Sequence, residues 1–196
     1  MALEIERRFL VAGQSWRPLV RWQARLRQGY LAAGAEGLTL RVRLSRAEGT
    51  EPQAAEPAAW LTLKAVPPGG ADALTRLEFE YPIPLADGEA LLALTDRQVD
   101  KCRYGLDLPG GTWVLDVFEG ANAPLVVAEV ELSAPDDPLS VPPWCVRELS
   151  GRHELSNAAL AMRPLAAWSE AERRELLPLT DAGAFRPGHS PPASSN

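Results

Sequence analysis

The sequence predicts a mainly β domain of the α+β class: a closed or nearly closed antiparallel eight-stranded β-barrel with a few flanking helices. Between residue 4 and about residue 132, short β-rich segments are separated by glycine- and proline-rich turns. Charged and apolar residues alternate along these segments, which is the period of strands with one polar and one apolar face. Many short strands at regular spacing favour an antiparallel barrel or a sandwich.

The strands and helices follow from these patterns in chain order. We expect strands at residues 4–11, 25–31, 38–45, 59–65, 75–83, 101–108, 112–120 and 125–132. Pro109-Gly110-Gly111 predicts a tight hairpin. Helices are expected at 86–96, 154–162 and 169–177, with Asp87 as the N-cap of the first and Ser169 and Glu172 as a capping box for the last. Residues 15–28 fit helix and strand equally well.

Length and composition predict one folded domain, residues 1–178, followed by a disordered tail, residues 179–196, rich in proline and small polar residues. The net charge of −6 gives no indication of nucleic-acid binding. The sequence lacks a run of eighteen apolar residues and has acidic residues where a signal peptide would be basic. We therefore expect a cytoplasmic monomer or homodimer with no membrane or nucleic-acid partner.

Like charges recur two residues apart on the predicted strands. Arg41 and Arg43 share one strand face, and Glu129 and Glu131 share another. The same spacing relates Glu4 to Glu6, Glu78 to Glu80, and Lys101 to Arg103. Polar-out alternation is normal for strands that face water, and that interpretation stays open for any single strand. Here, however, the polar positions are almost all charged, and same-sign neighbours on one face need counter-charges.

If these faces line the inside of a barrel, the enclosed charges indicate a ligand. The seven cations would be Arg8, Arg41, Arg43, Lys64, Arg76, Lys101 and Arg103. The seven anions would be Glu4, Glu6, Glu78, Glu80, Asp116, Glu129 and Glu131. Arginine forks suit phosphate oxygens, and clustered carboxylates suit hard cations such as Mg²⁺ or Mn²⁺. A polyanion bridged by metal to acidic residues is the chemistry of phosphoryl transfer.

Several collinear motifs give the chain a specific resemblance. They are EIERR, RQGYL, LRVRL, LTLK, RLEFEYPIP, DKCRYGL, WVLDVFEGANAPLVVAEVEL and SNAALAMRPLAAW, which together span about residues 3–168. In these motifs the chain resembles the CYTH superfamily, the triphosphate tunnel metalloenzymes, in the short bacterial form. The signature of that family is Glu-x-Glu-x-Lys, and this chain has Glu-x-Glu-x-Arg, with Arg8 at the lysine position.

The resemblance implies an eight-stranded tunnel with a charged interior and a divalent-metal requirement. It implies metal ligands at Glu4, Glu6, Asp116, Glu129 and Glu131. It implies triphosphate contacts at Arg41, Arg43, Lys64, Lys101 and Arg103, to which the charge pattern adds Arg8 and Arg76. Tyr30 matches a tyrosine that works with the signature lysine in some bacterial members. Glu78 and Glu80 match an acidic strand that would bind a second metal, orient water or balance charge.

The resulting functional prediction is a metal-dependent hydrolase that converts inorganic triphosphate to pyrophosphate and phosphate, with Mg²⁺ or Mn²⁺ as cofactor. Arg8 keeps the positive charge but holds its proton near neutral pH, so a mechanism with a general base at this position is disfavoured. The alternatives on the same scaffold are a nucleoside or thiamine triphosphatase or an adenylate cyclase. Two further alternatives are a non-catalytic module that binds polyphosphate or nucleotide and a barrel whose charged faces are exposed to solvent and bind no ligand.

Overall fold

The structure is a computed structural model that describes residues 3–33, 38–48, 57–67, 75–134 and 137–177. Within these residues, antiparallel strands form one sheet in the order β5-β4-β3-β2-β6-β7-β8-β1-β9. The strands are β1 Leu3–Val11, β2 Val20–Ala33, β3 Thr39–Glu48, β4 Ala58–Ala65, β5 Thr75–Ile83, β6 Gln98–Leu106, β7 Thr112–Phe118, β8 Val126–Glu131 and β9 Cys145–Glu148. The helices are α1 Leu85–Leu92, α2 Asn157–Met162 and α3 Glu170–Leu176.

Strand β1 joins the two ends of the sheet. One edge of β1 pairs with β8, and the other edge is shared by two strands. The first three residues of that edge, residues 3–5, pair with β5, whereas residues 9–11 pair with β9. Strands β1 to β8 therefore form a nearly closed barrel, which confirms the predicted fold class. The short strand β9 was missed because it has four residues and follows Pro142-Pro143.

Local differences from the sequence predictions have clear causes. Residues 15–28 form a single 3-10 turn, Arg17–Leu19, and then enter the long strand β2. The expected cap of α1 was wrong, because the helix starts directly after Pro84 and Asp87 falls in its first turn. The predicted helix 154–162 is split into a 3-10 turn and α2, since Ser156 accepts the Ala159 N–H and caps a new helix.

Two further elements agree with the sequence predictions. Ser169 and Glu172 form the expected capping box of α3. The predicted hairpin connects β6 to β7, where Gly110 and Gly111 adopt positive φ angles that suit glycine. The proposed tail and parts of the loops at 46–57 and 66–73 lie outside the described residues.

The first apolar cluster lies on the outside of the barrel. The outward-facing side chains of β1, β6, β7 and β8 form one buried cluster, covered by Trp16 and Trp144 from the flanking segments. Trp16 packs against Tyr104 with ring centroids 5.0 Å apart. Since successive side chains of a strand point to opposite faces, burying the apolar face here directs the charged face toward the barrel axis.

A helical cap, which we define as residues 153–177, forms the second apolar cluster. Leu155, Leu160, Leu165 and Leu176 of this cap are buried against residues from β1, β2 and β6–β8. The packing brings the start of α2 to the polar interior of the barrel. In the part of the chain that the structure describes, no helix has the length and apolar character needed to cross a membrane.

Helix α1 packs so closely on β3 and β4 that the contact yields a stability prediction. A Cβ atom on Gly88 would lie 2.5 Å from the Ala59 Cβ and 2.8 Å from Leu44 Cδ2. We expect Gly88→Ala to lower the free energy of unfolding by about 1–3 kcal/mol, because overpacking outweighs alanine's better helix propensity. Urea unfolding would measure this loss. Ala90→Ser, at an exposed position of the same helix, should change stability by less than about 0.5 kcal/mol. Equal stability of Gly88→Ala and the wild type would contradict the close packing.

Candidate active site

A polar cavity of about 470 Å³ lies inside the barrel. Its lining residues are Glu6, Arg41, Arg43, Lys64, Glu78, Glu80, Arg103, Thr112, Val114, Glu129, Glu131 and Asn157. Seven strands contribute to this wall, and α2 contributes Asn157. The volume falls in the range of small-molecule sites. The wall thus combines cationic and anionic side chains around a space large enough for a small charged ligand.

A smaller cavity of about 80 Å³ adjoins the first toward the helical cap. The two cavities share Glu6, Arg41, Lys64 and Asn157. The smaller one is also lined by Arg8, Tyr30, Thr39, Arg76, Ser156 and Ala158. Nine of the predicted site residues whose side chains are described therefore line the larger cavity, and three more line the smaller one.

Ion pairs hold the cations of β3 and β4 against the carboxylates of β5. Arg43 Nη2 lies 2.7 Å from Glu80 Oε1, and Lys64 Nζ lies 3.3 Å from Glu78 Oε2. The Arg41 guanidinium approaches both carboxylates at 3.4–3.6 Å. These pairs fix the guanidinium groups at the cavity wall before any ligand binds.

Arg41 and Arg43 nevertheless keep unused hydrogen-bonding capacity. Their Nε atoms are buried and have no hydrogen-bond partner among the described residues. Burial lowers the pKa of Arg43 to about 10, so the guanidinium stays charged at neutral pH. A buried donor without an acceptor is costly, and these Nε atoms are closed to solvent. Both arginines line the cavity, where their guanidinium charge favours an anionic ligand.

A second set of ion pairs connects β6, β7, β8 and β1. Arg103 makes two 2.7 Å contacts with the Asp116 carboxylate and another at 2.7 Å with Glu129 Oε2. Glu129 Oε1 accepts a hydrogen bond from Arg8 Nε at 3.2 Å. Arg8 Nη2 also donates to the Leu155 carbonyl oxygen at 3.1 Å, which ties the barrel to the helical cap.

The same pairs set the protonation states. Burial alone would lower the pKa of Arg103, but Asp116 and Glu129 outweigh it and raise that pKa above its usual value. Burial alone would raise the pKa of Glu129, but Arg103, Lys101 and Arg8 hold it well below its usual range. At neutral pH the carboxylate and the guanidinium are therefore both charged.

Lys101 and Asp116 line neither described cavity. Both side chains are fully buried, and Lys101 Nζ lies 2.5 Å from Asp116 Oδ2. Burial lowers the pKa of Lys101 to about 8, although Asp116 opposes this decrease. Lys101 Nζ also donates to Asn157 Oδ1 at 3.0 Å. Direct contact of Lys101 with a ligand stays a prediction, whereas its contacts here hold Asp116 and Asn157 in place.

Tyr30 is buried at the smaller cavity, opposite Arg41 in the β2–β3 register. Its hydroxyl accepts a hydrogen bond from Gln28 Nε2 at 3.2 Å. Burial raises the pKa of Tyr30, although Arg41 and Lys64 oppose this increase. The phenol therefore keeps its proton at neutral pH and is placed to donate a hydrogen bond.

The carboxylates near β1 and β8 suit a hard divalent cation. Glu6 lies directly opposite Glu131, and like charges in that position destabilise a sheet unless a cation offsets them. Both line the cavity together with Glu129. In the described ranges, no three acidic, histidine or cysteine side chains converge closely enough to form a preassembled metal site. The oxygen donors therefore fit Mg²⁺ or Mn²⁺ in their chemistry, and holding the ion would require further ligands or a rearrangement of these side chains.

Two predicted metal ligands differ from this group. The Glu4 backbone pairs with Arg76 of β5, but its side chain lies outside the described part of the chain. Both oxygens of Asp116 are engaged by Lys101 and Arg103. Metal binding by either residue stays a prediction, and the contacts of Asp116 give it the additional role of holding two cations.

Sequence reasoning missed several polar residues of the site. Thr62 Oγ1 donates to Glu80 Oε1 at 2.9 Å and accepts from Arg41 Nη2 at 3.0 Å. Its spacing from Lys64 places Thr62 on the inner face, but the sequence prediction rested on charged side chains and Thr62 is neutral. Gln28 likewise lies two residues from a predicted site residue, Tyr30, on the same strand. Asn157 has no such spacing, because it reaches the barrel from a helix.

Comparisons with known proteins agree with this geometry. A CYTH domain family model matches residues 2–160. An inorganic triphosphatase from Acetivibrio thermocellus is 32% identical over 172 residues, 87% of this chain and 100% of that protein. An inorganic triphosphatase from Nitrosomonas europaea is 37% identical over 163 residues, 81% of this chain and 97% of that protein. A crystal structure of an inorganic triphosphatase matches with a TM-score of 0.55 at 34% identity, covering 83% and 96% of the two chains.

The chain belongs to the CYTH family. The match spans most of the domain predicted from the sequence and includes every barrel strand. The resemblance inferred from the charged motifs is thereby confirmed at the level of the family.

The position of Asp116 generates a prediction that distinguishes two roles of this carboxylate, ion pairing with Lys101 and Arg103 and metal binding. We expect Asp116→Asn to lower the free energy of unfolding by about 3–5 kcal/mol in the presence of EDTA, because Lys101 and Arg103 lose their shared buried counter-charge. Urea unfolding would measure it. The control, Asp107→Asn at an exposed pair with Arg21, should cost less than about 1 kcal/mol. A loss that appears only when Mg²⁺ is present would instead show that Asp116 acts through the metal.

Arg8 generates a second prediction. Arg8→Lys should lower the free energy of unfolding by roughly 1–3 kcal/mol, because one ammonium group cannot replace both the Glu129 and Leu155 contacts. Thermal unfolding would measure the change. Arg147→Lys, where the guanidinium makes one exposed hydrogen bond to the Glu175 carbonyl oxygen, serves as the matched control. An unchanged unfolding temperature for Arg8→Lys would rule out the two-contact role.

Proposed function

We propose that this protein hydrolyses inorganic triphosphate to pyrophosphate and phosphate with Mg²⁺ or Mn²⁺ as cofactor. The observation that carries the proposal is the single cavity in which four cations, Arg41, Arg43, Lys64 and Arg103, face Glu6 and Glu131. Two relatives that cover most of this chain are inorganic triphosphatases. A ligand with several phosphate groups and a bound cation would satisfy both sets of charges.

The cations would hold and orient the triphosphate. Arg41 and Arg43 have planar guanidinium groups suited to phosphate oxygens, and their ion pairs with β5 keep them in place. Arg103 would contact the substrate from β6, where Asp116 and Glu129 orient it. Lys64, Arg8 and Arg76 would add positive charge toward the smaller cavity. Such prearranged charges stabilise the transition state without reorganising during the reaction.

The carboxylates would hold the metal and balance the cations. We assign the metal to Glu6 and Glu131, with Glu129 on the same cavity wall and Glu4 and Asp116 as further candidates. When bound, the metal would neutralise phosphate charge and lower the pKa of a water molecule. Glu78 and Glu80 are both paired with cations, which favours charge balance among the roles considered for them. Tyr30 would donate a hydrogen bond in its neutral form.

The reaction balances as a simple hydrolysis. The oxygen of water bonds to a terminal phosphorus, and the bridging P–O bond breaks with its electron pair leaving on pyrophosphate. One proton of the water is released. No step requires a lysine base at position 8, which agrees with Arg8 being committed to Glu129 and Leu155.

Phosphate release tests this function. We expect release from inorganic triphosphate that depends on Mg²⁺ or Mn²⁺ and exceeds release from ATP and thiamine triphosphate. Glu6→Gln and Glu131→Gln should lower kcat/KM about a hundredfold or more, since metal ligation supplies several kcal/mol of transition-state stabilisation. The control, Glu170→Gln on the exposed face of α3, should retain wild-type activity.

The substrate comparison also separates the alternatives. Faster phosphate release from ATP or thiamine triphosphate would identify a nucleotide or thiamine enzyme on this scaffold, and cyclic AMP would identify a cyclase. Tight, salt-sensitive binding without turnover would identify a binding module. Absence of metal-dependent release from every substrate would refute the hydrolase.

A further inference from the structure

Asn157 differs from every other residue described at the larger cavity, because it comes from the helical cap rather than from a barrel strand. It is the first residue of α2 and also lines the smaller cavity. The Ser156 side chain fixes the start of the helix by accepting the Ala159 N–H at 3.2 Å. Arg8 holds the preceding turn through the Leu155 carbonyl oxygen. Both contacts determine where Asn157 enters the site.

The orientation of the Asn157 amide is set by its partner. Its Oδ1 accepts a hydrogen bond from Lys101 Nζ at 3.0 Å. An ammonium group only donates, so the oxygen of the amide must face Lys101 and the nitrogen must face away. Lys101 is fully buried and lines neither described cavity. The Nδ2 end is therefore the polar end that Asn157 presents to the cavities.

The Asn157 Nδ2 group is also available to a ligand. Among the hydrogen bonds of the described residues, no protein acceptor takes either of its protons. The surrounding wall consists mostly of charges paired with each other, such as Arg43 with Glu80 and Lys64 with Glu78. A phosphate group that draws on these cations competes with their carboxylates. A neutral donor with no partner can bind phosphate without breaking an ion pair.

We propose that Asn157 binds the triphosphate directly, with Nδ2 donating to a phosphate oxygen while Oδ1, held by Lys101, fixes the amide. The proposal rests on the triphosphate function proposed above and assigns part of the binding site to the helical cap. Lys101 then acts as a positioning residue for Asn157, since its ammonium group fixes the amide oxygen. Full affinity for the triphosphate then requires that the helical cap is docked on the barrel.

The test uses a substitution that separates the two ends of the amide. Asn157→Asp keeps an oxygen for Lys101 but removes the donor and places a negative charge at the cavity. We expect the KM for inorganic triphosphate to rise at least about tenfold, which is the size expected for losing a hydrogen bond to a charged group. The unfolding temperature should be retained, because the Lys101 contact persists. A second variant, Asn157→Ala, removes both ends and should also raise KM.

The control adds a negative charge to the same helix away from the cavity. Met162→Asp, at a position where the side chain is 55% exposed, should leave KM unchanged. A readout independent of turnover is the rise in unfolding temperature on adding inorganic triphosphate in EDTA. This rise should be smaller for both Asn157 variants than for the wild type and Met162→Asp.

The outcomes distinguish this inference from the function on which it rests. A wild-type KM in Asn157→Asp, with an active wild-type enzyme, would overturn the proposal alone, because an oxygen facing Lys101 would then be sufficient. A raised KM equalled by Met162→Asp would also overturn it, since general electrostatics would explain the loss. Failure of the wild type to bind or hydrolyse triphosphate would overturn the proposed function as well.

Discussion

Arg103 binds two carboxylates at once, and the inner face of the barrel depends on pairings of this kind. Charges enclosed by protein are costly unless opposite charges lie beside them. Asp116 and Glu129 flank Arg103, Arg8 approaches Glu129 from β1, and Glu80 lies against the arginines of β3. Because the partners come from different strands, the ion pairs stabilise the register of the barrel. The strands in turn fix the positions of the charged side chains. The cations are therefore in position before a polyanion arrives.

This internal chemistry requires an unusual distribution of apolar side chains. Charged side chains occupy part of the barrel interior, so the hydrophobic stabilisation comes from the outer surface and from the end that the helical cap covers. Trp16 and Trp144 cover the outer faces of β1 and β6–β8, and the helical cap covers one end. Apolar burial stabilises roughly in proportion to area wherever it occurs. Apolar packing on the outer surface and at the capped end therefore leaves the charged part of the interior free for ligand binding.

The strands and their inner faces could be predicted because period-two alternation is a local property. A stretch of three residues is enough to show a shared face, as for Arg41 with Arg43 and for Glu129 with Glu131. The depth at which a side chain is buried and the partner that it contacts depend on residues far away in the sequence. Lys101 and Arg103 share a face, yet the first is fully buried and lines neither described cavity, whereas the second lines the larger one. Asn157 meets Lys101 across 56 residues, so neither spacing nor alternation relates them. The short strand β9 gave too little pattern against its flanking prolines.

The helical cap makes the two ends of the barrel different, and this asymmetry bears on how the site works. At one end, Thr112 and Glu131 are opposite each other and exposed. At the other end, Leu155 and Leu160 pack over the barrel. The capped end is connected to the site by polar contacts, from Arg8 to Leu155 and from Lys101 to Asn157. A ligand that engages Asn157 would strengthen the second contact network, so substrate binding and cap docking would stabilise each other reciprocally.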